Sequence, residues 1–190
     1  MTNKTSSAPT PRKSVAAMHP YVPGEQPKDA KLIKLNTNEN PYPPSPKVRE
    51  ALAALGDDRL RKYPDPVCLA LRESIASSLG VGANQVIASN GSDEILKMIV
   101  EAWVEPGEKV AYLWPTYSLY PVFVEKAEAV EVRLPWKTGE RTQEEALASA
   151  PREAKVIFVT NPNPPIGLGV SLDAIRALAL DRPSTVVVVD

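Results

Sequence analysis

Two short segments constrain the fold of this chain more than any other feature: Lys155–Thr160 (KVIFVT) and Thr185–Asp190 (TVVVVD). Successive side chains of a strand point to opposite sides, so a strand with one wet face alternates apolar and polar residues. These two are apolar at almost every position, and both of their faces must therefore be covered. Further strand-like segments fall at Gln85–Ser89, Lys109–Trp114 and Ala129–Leu134, with helical stretches between them. Strands alternating with helices build βαβ units. The expected class is therefore α/β, a parallel-type sheet of five strands with helices on both faces.

The helical stretches carry their own signals. Ser92–Val104 places Ile95, Leu96, Ile99, Val100 and Trp103 on one face. Ser45-Pro46 puts a cap and a first-turn proline ahead of KVREALAAL. Val67–Leu79 is closed by Gly80, and Tyr117–Ala127 must take Pro121 near its start. Thr142 and Glu145 have the spacing of a capping box that opens a helix to Ala150, and Ser171–Leu180 follows the next strand.

Charge and composition exclude several function classes. The 22 basic and 23 acidic side chains make no electrostatic case for nucleic acid or an anionic membrane. One cysteine and one histidine form neither an internal disulfide nor a zinc site, so no metal is expected. No apolar run approaches the length of a membrane span, and no apolar segment follows the early Lys4, Arg12 and Lys13, so a soluble cytoplasmic protein is expected. Proline is in excess at 20 residues, of which 11 precede Val67 and none lies between Val67 and Glu105. Residues 1–30 read as a flexible arm, residues 31–80 as an extended segment with helices, and residues 81–190 as the sheet domain.

Five segments carry residues suited to chemistry. Asn90-Gly91-Ser92-Asp93 opens a helix after a predicted strand, where N–H groups and the positive dipole end suit a phosphate. There the Asp93 carboxylate must turn away or contribute only its N–H. Pro115-Thr116-Tyr117 follows another strand, and the Tyr117 ring could stack on a planar ligand or pack, with Tyr120, under the next helix. Thr160-Asn-Pro-Asn-Pro-Pro-Ile-Gly167 is a proline-locked loop that presents Asn161 and Asn163 rigidly. Asp190 sits at the tip of a four-valine strand, where a buried carboxylate calls for a cation such as a protonated ring nitrogen. Leu35–Pro44 (LNTNENPYPP) is an extended polar segment that could fold over a site or serve as a linker.

The order of these landmarks, LNTNENPYPPSP, RKYPDP, SNGSDEIL, PTYSLYP, TNPNPPIG and VVVVD, resembles that of histidinol-phosphate aminotransferases over roughly Leu32 to Asp190. The resemblance implies a fold type I large domain, pyridoxal 5′-phosphate as cofactor, and a homodimer. It also implies amino transfer between glutamate and imidazole-acetol phosphate, small-molecule substrates of histidine biosynthesis. It assigns Gly91, Ser92 and Asp93 to the cofactor phosphate, Tyr117 to the pyridine ring and Asp190 to its nitrogen. Tyr63 would reach the phosphate of the neighbouring subunit, and Tyr42 and Tyr120 would lie at the substrate pocket.

Two departures matter. The family loop commonly reads NPNNPTG, and Pro164 stands where the resemblance puts the asparagine that contacts the cofactor's phenolic oxygen, so that contact is either absent or comes from Asn163 in a shifted loop. The family's Schiff-base lysine and carboxylate-binding arginine lie beyond the aspartate. The chain is therefore expected to be the N-terminal portion of a longer enzyme, inactive alone and prone to associate through the edge of the Asp190 strand. The alternatives are a threonine-phosphate decarboxylase or another small aminotransferase, and a non-catalytic remnant that binds a phosphate ligand or a partner. A nucleotide-binding domain is disfavoured, since no GxGxxG or GxxxxGK[ST] occurs.

Overall fold

The computed structural model describes residues 10–18, 24–25, 28, 31–37 and 39–190. Most of the arm expected over residues 1–30 lies outside them; within it Lys13–Ala17 forms helix α1. The chain divides into two units, Val22–Ser89 and Met1–Tyr21 with Asn90–Asp190.

The first unit holds α2 (Pro46–Ala53), α3 (Asp57–Leu60) and α4 (Leu69–Leu79), followed by a 3₁₀ turn at Ala83–Gln85. Pro46 takes the first position of α2, where its missing N–H has no intrahelical role. Asp65 starts α4 by accepting from the Val67 and Leu69 N–H groups at 3.1 and 2.6 Å. Those bonds hold its carboxyl below the usual range. Arg72 on α4 donates through Nε to the Val86 carbonyl (2.8 Å) and through Nη2 to the Ala83 carbonyl (2.7 Å), locking the 3₁₀ turn onto the helix.

The strand expected over Gln85–Ser89 does not form. Val86 has extended torsions (φ −119°, ψ 133°), but among the described residues no strand pairs with the segment, and the Val86 carbonyl is taken by Arg72. Local extension was legible; the ladder that makes a strand was missing.

The second unit contains α5 (Ser92–Trp103), β1 (Lys109–Trp114), α6 (Tyr120–Lys126), β2 (Val130–Pro135), α7 (Gln143–Ala148), β3 (Ala154–Val159), α8 (Leu172–Asp181) and β4 (Val186–Val189). The sheet has four strands in the order β2-β1-β3-β4, all parallel, so four strands rather than the expected five lie between Gln85 and Asp190.

Period-two alternation sorts its central strands between two cores. Val110, Tyr112, Val156 and Phe158 pack with Leu96, Val100, Tyr120 and Val124 of α5 and α6. Ala111, Leu113, Ile157 and Val159 pack with Ala146, Leu147 and Leu178 of α7 and α8. Both faces of β1 and β3 are covered, whereas the apolar β4 is only partly buried and its Val189 is exposed. Strand β4 is an edge of the sheet.

The capping box forms as the spacing implies: Glu145 N–H donates to Thr142 Oγ1 at 3.1 Å, and Thr142 N–H donates to Glu145 Oε2 at 2.8 Å. Helix α6 begins at Tyr120 rather than Tyr117, which puts Pro121 at the start of the helix and leaves 116–119 as a turn. Among the described residues, no helix is long and apolar enough to cross a membrane.

Candidate active site

In a parallel sheet all carboxyl ends lie on one side, and ligands collect there. The loop after β1, the loop after β3, Asp190 after β4 and the start of α5 all belong to this end of the unit. Hydrogen bonds tie them together.

Helix α5 opens on Gly91, whose backbone (φ 80°, ψ 178°) lies in a region open essentially to glycine alone. Gly91 offers no side chain to cap the first-turn N–H groups, which have no intrahelical acceptor. Both carboxylates of this turn point elsewhere. Glu94 Oε2 folds back to accept from the Asn90 N–H at 2.8 Å, and Asp93 Oδ1 accepts from the Tyr117 hydroxyl at 2.9 Å. Ser92 is exposed beside them.

The two asparagines of the proline-rich loop are both engaged. Asn161 Oδ1 accepts from the Val170 N–H (2.8 Å), and its Nδ2 donates to the Val170 carbonyl (3.2 Å). Asn163 is fully buried: its Oδ1 accepts from Thr116 Oγ1 (2.6 Å), and its Nδ2 donates to the Pro115 carbonyl (3.0 Å). The loop closes on itself through Asn163 N–H to the Leu168 carbonyl and Gly167 N–H to the Asn163 carbonyl, each 2.8 Å.

Asp190 is partly buried at the end of β4. Its N–H donates to the Val159 carbonyl (3.0 Å), and its carbonyl accepts from the Asn161 N–H (2.8 Å). Its Oδ2 accepts from the Tyr120 hydroxyl at 2.7 Å. Tyr120 is fully buried, its ring in the core and its hydroxyl on Asp190. Its phenol is pushed far up, first by burial and then by the Asp190 carboxylate.

The structure thus gathers Gly91, Ser92, Asp93, Tyr117, Asn163 and Asp190 in one unit, with Tyr120 behind them. Tyr42 and Tyr63 belong to the other unit, where both are exposed, Tyr63 completely. Sequence reasoning missed Thr116 and Thr160, whose hydroxyls are 2.9 Å apart and join the two loops. Their one signal was position, each standing just past a strand end.

The donor set fits a phosphorylated, cationic aromatic ring. Uncapped first-turn amides and the Ser92 hydroxyl suit a phosphate, the Tyr117 ring suits a ring face, and the Asp190 carboxylate suits a ring N–H.

The fold is that of an aminotransferase. An aspartate aminotransferase tetra mutant from Thermus thermophilus matches 96% of the chain and 51% of its own length, with a TM-score of 0.79 at 23% identity. A histidinol-phosphate aminotransferase from Sinorhizobium meliloti, solved in complex with pyridoxal-5′-phosphate, matches 81% of the chain and 42% of its own length, with a TM-score of 0.73 at 28% identity. Residues 30–190 match the family described as aminotransferase class I and II, and the chain belongs to that family, whose members depend on pyridoxal phosphate.

Curated relatives include histidinol-phosphate aminotransferase 1 of Bradyrhizobium diazoefficiens, 42% identical over 93% of the chain and 49% of the relative. The histidinol-phosphate aminotransferase of Geotalea uraniireducens is 43% identical over 94% of the chain and 51% of the relative. The chain spans about half the length of the curated relatives it matches.

Proposed function

We propose that this chain carries the cofactor-holding part of a histidinol-phosphate aminotransferase. In this reading it binds pyridoxal 5′-phosphate and serves amino transfer between histidinol phosphate and 2-oxoglutarate, as a cytoplasmic homodimer. The observation that carries the reading is the convergence of the α5 start, Tyr117 and Asp190 at the carboxyl end of one parallel sheet.

Each residue has a physical task. The N–H groups of Gly91, Ser92 and Asp93 and the positive end of α5 hold the phosphate dianion. Tyr117 lies on the ring and keeps the Asp93 carboxylate off the phosphate. Asp190 holds a proton on the ring nitrogen. The bound cofactor supplies an electron sink that the side chains lack. Asn163 acts through the loop it braces, since its amide serves Thr116 and Pro115. Tyr63 of a second copy reaches the phosphate, and Tyr42 lines the substrate pocket.

The lysines of the sheet unit's strands and central helices stand away from this end. Lys109 and Lys155 lie at the amino ends of β1 and β3, and Lys97 and Lys126 pair with Glu101; Lys137, just past the carboxyl end of β2, is paired with Glu140. The 190-residue chain by itself is accordingly read as binding the cofactor without completing the transfer.

Pyridoxamine 5′-phosphate needs no lysine partner and tests the reading by equilibrium binding to the chain. It should bind at least about tenfold more tightly than pyridoxamine, a phosphate contributing charge-assisted bonds of about 1.5–3 kcal/mol. Equal affinity for the two compounds sinks the reading.

A further inference from the structure

We propose that Tyr120 is the positioning residue of Asp190, its buried hydroxyl aiming the carboxylate at a protonated ring nitrogen, with Thr160 bracing that hydroxyl from behind. The proposal rests on the reading of Asp190 given above and extends it to a residue that touches neither ring nor substrate.

The main chain of Asp190 is pinned on both sides by Val159 and Asn161, which leaves only the carboxylate's torsion to be set. Tyr120 Oη, 2.7 Å from Oδ2, sets it. The phenol is itself held rigidly. Its ring stacks on Phe158 at 4.4 Å and 8°, meets Tyr117 edge-on at 5.6 Å and 84°, and leans on Tyr112 at 5.5 Å and 53°. A donor fixed by three rings loses no freedom when its acceptor is engaged, which is what preorganisation requires.

Counting hydrogens gives the chain of contacts a direction. Five oxygens follow one another: Asp190 Oδ2, Tyr120 Oη, Thr160 Oγ1, Thr116 Oγ1 and Asn163 Oδ1. An ionised carboxylate and an amide oxygen only accept, so three hydroxyl hydrogens serve four contacts. Tyr120 spends its hydrogen on Asp190, and Thr116 spends its own on Asn163, whose orientation is set by Nδ2 donating to Pro115. The Thr160 hydrogen is left with two claimants. When it turns to Tyr120, 2.8 Å away, it polarises the phenol and strengthens the donation to Asp190. The loop after β3 thereby backs the aim of Asp190 across the sheet end.

A double-mutant cycle with pyridoxamine 5′-phosphate tests this in the 190-residue chain. Tyr120→Phe keeps the ring and deletes only the hydroxyl, and should weaken binding about tenfold. In an Asp190→Ala background the same change should have no effect, because the group it acts through is gone. Thr160→Val should weaken binding about threefold, and not at all once Tyr120 is phenylalanine.

Wild-type affinity in Tyr120→Phe, or losses that simply add in the double variant, overturns the proposal. If Asp190→Ala binds like wild type, the reading of Asp190 fails first and takes this one with it.

Discussion

The Tyr117 hydroxyl donates to Asp93 Oδ1 at 2.9 Å and joins the turn after β1 to the first turn of α5. The bond resolves an apparent conflict, an aspartate at a helix start suited to anions. Its carboxylate is engaged by a phenol, and its N–H remains one of the first-turn amides at the helix start. Tyr117→Phe releases that carboxylate while keeping the ring. Affinity for pyridoxamine 5′-phosphate should then fall about threefold to tenfold. Removing the charge as well, in Tyr117→Phe with Asp93→Asn, should recover most of the loss. Calorimetric titration of both variants is the check, and no recovery would mean that the hydroxyl acts by another route.

Gly91→Ala isolates backbone conformation from crowding. A Cβ there meets no atom within 4 Å, so any penalty comes from the φ of +80° alone. Urea unfolding should show a loss of about 1–3 kcal/mol. Unchanged stability would mean that the turn relaxes to ordinary torsions.

Alkaline pH tests the burial of Tyr112 and Tyr120. Burial pushes Tyr112 and Tyr120 far above the ordinary phenol range, with Glu131 adding to the first and Asp190 to the second. Their folded values are raised, so the stability linked to them is fully present below the unfolded value of about 10 and is lost as pH rises past it. Near-ultraviolet titration should show the Tyr112 and Tyr120 phenolates appearing only with unfolding. Either of them ionising while the fold persists would contradict the packing.

Thr142→Ala removes the side-chain cap of α7 and leaves the Glu145 N–H without its acceptor. The expected loss is about 1 kcal/mol in chemical denaturation. A neutral result would mean that solvent replaces the cap without penalty.

Much of this fold was legible because its signals are local. The two-faced apolar strands β3 and β4, the amphipathic α5 and the Thr142–Glu145 box each declare themselves within a few residues. Gln85–Ser89 misled because extension is a property of the segment, whereas a strand needs a neighbour. At the site, the start of α5 and Asp190 were readable from strand ends. The Tyr120–Asp190 bond spans 70 residues and Thr116–Asn163 spans 47, and no local pattern encodes which hydroxyl meets which acceptor. The resemblance places Tyr120 near the substrate pocket, and nothing local announces that its ring is buried where α6 begins.

The central claim is that one ligand site unites the α5 start, Tyr117 and Asp190. Residue-resolved amide NMR of the chain, titrated with pyridoxamine 5′-phosphate, tests it most directly. The claim predicts that the largest shifts fall on Gly91, Ser92, Asp93, Tyr117 and Asp190, all moving along one saturation curve. Shifts confined to another surface, or separate curves for the α5 start and Asp190, would contradict it.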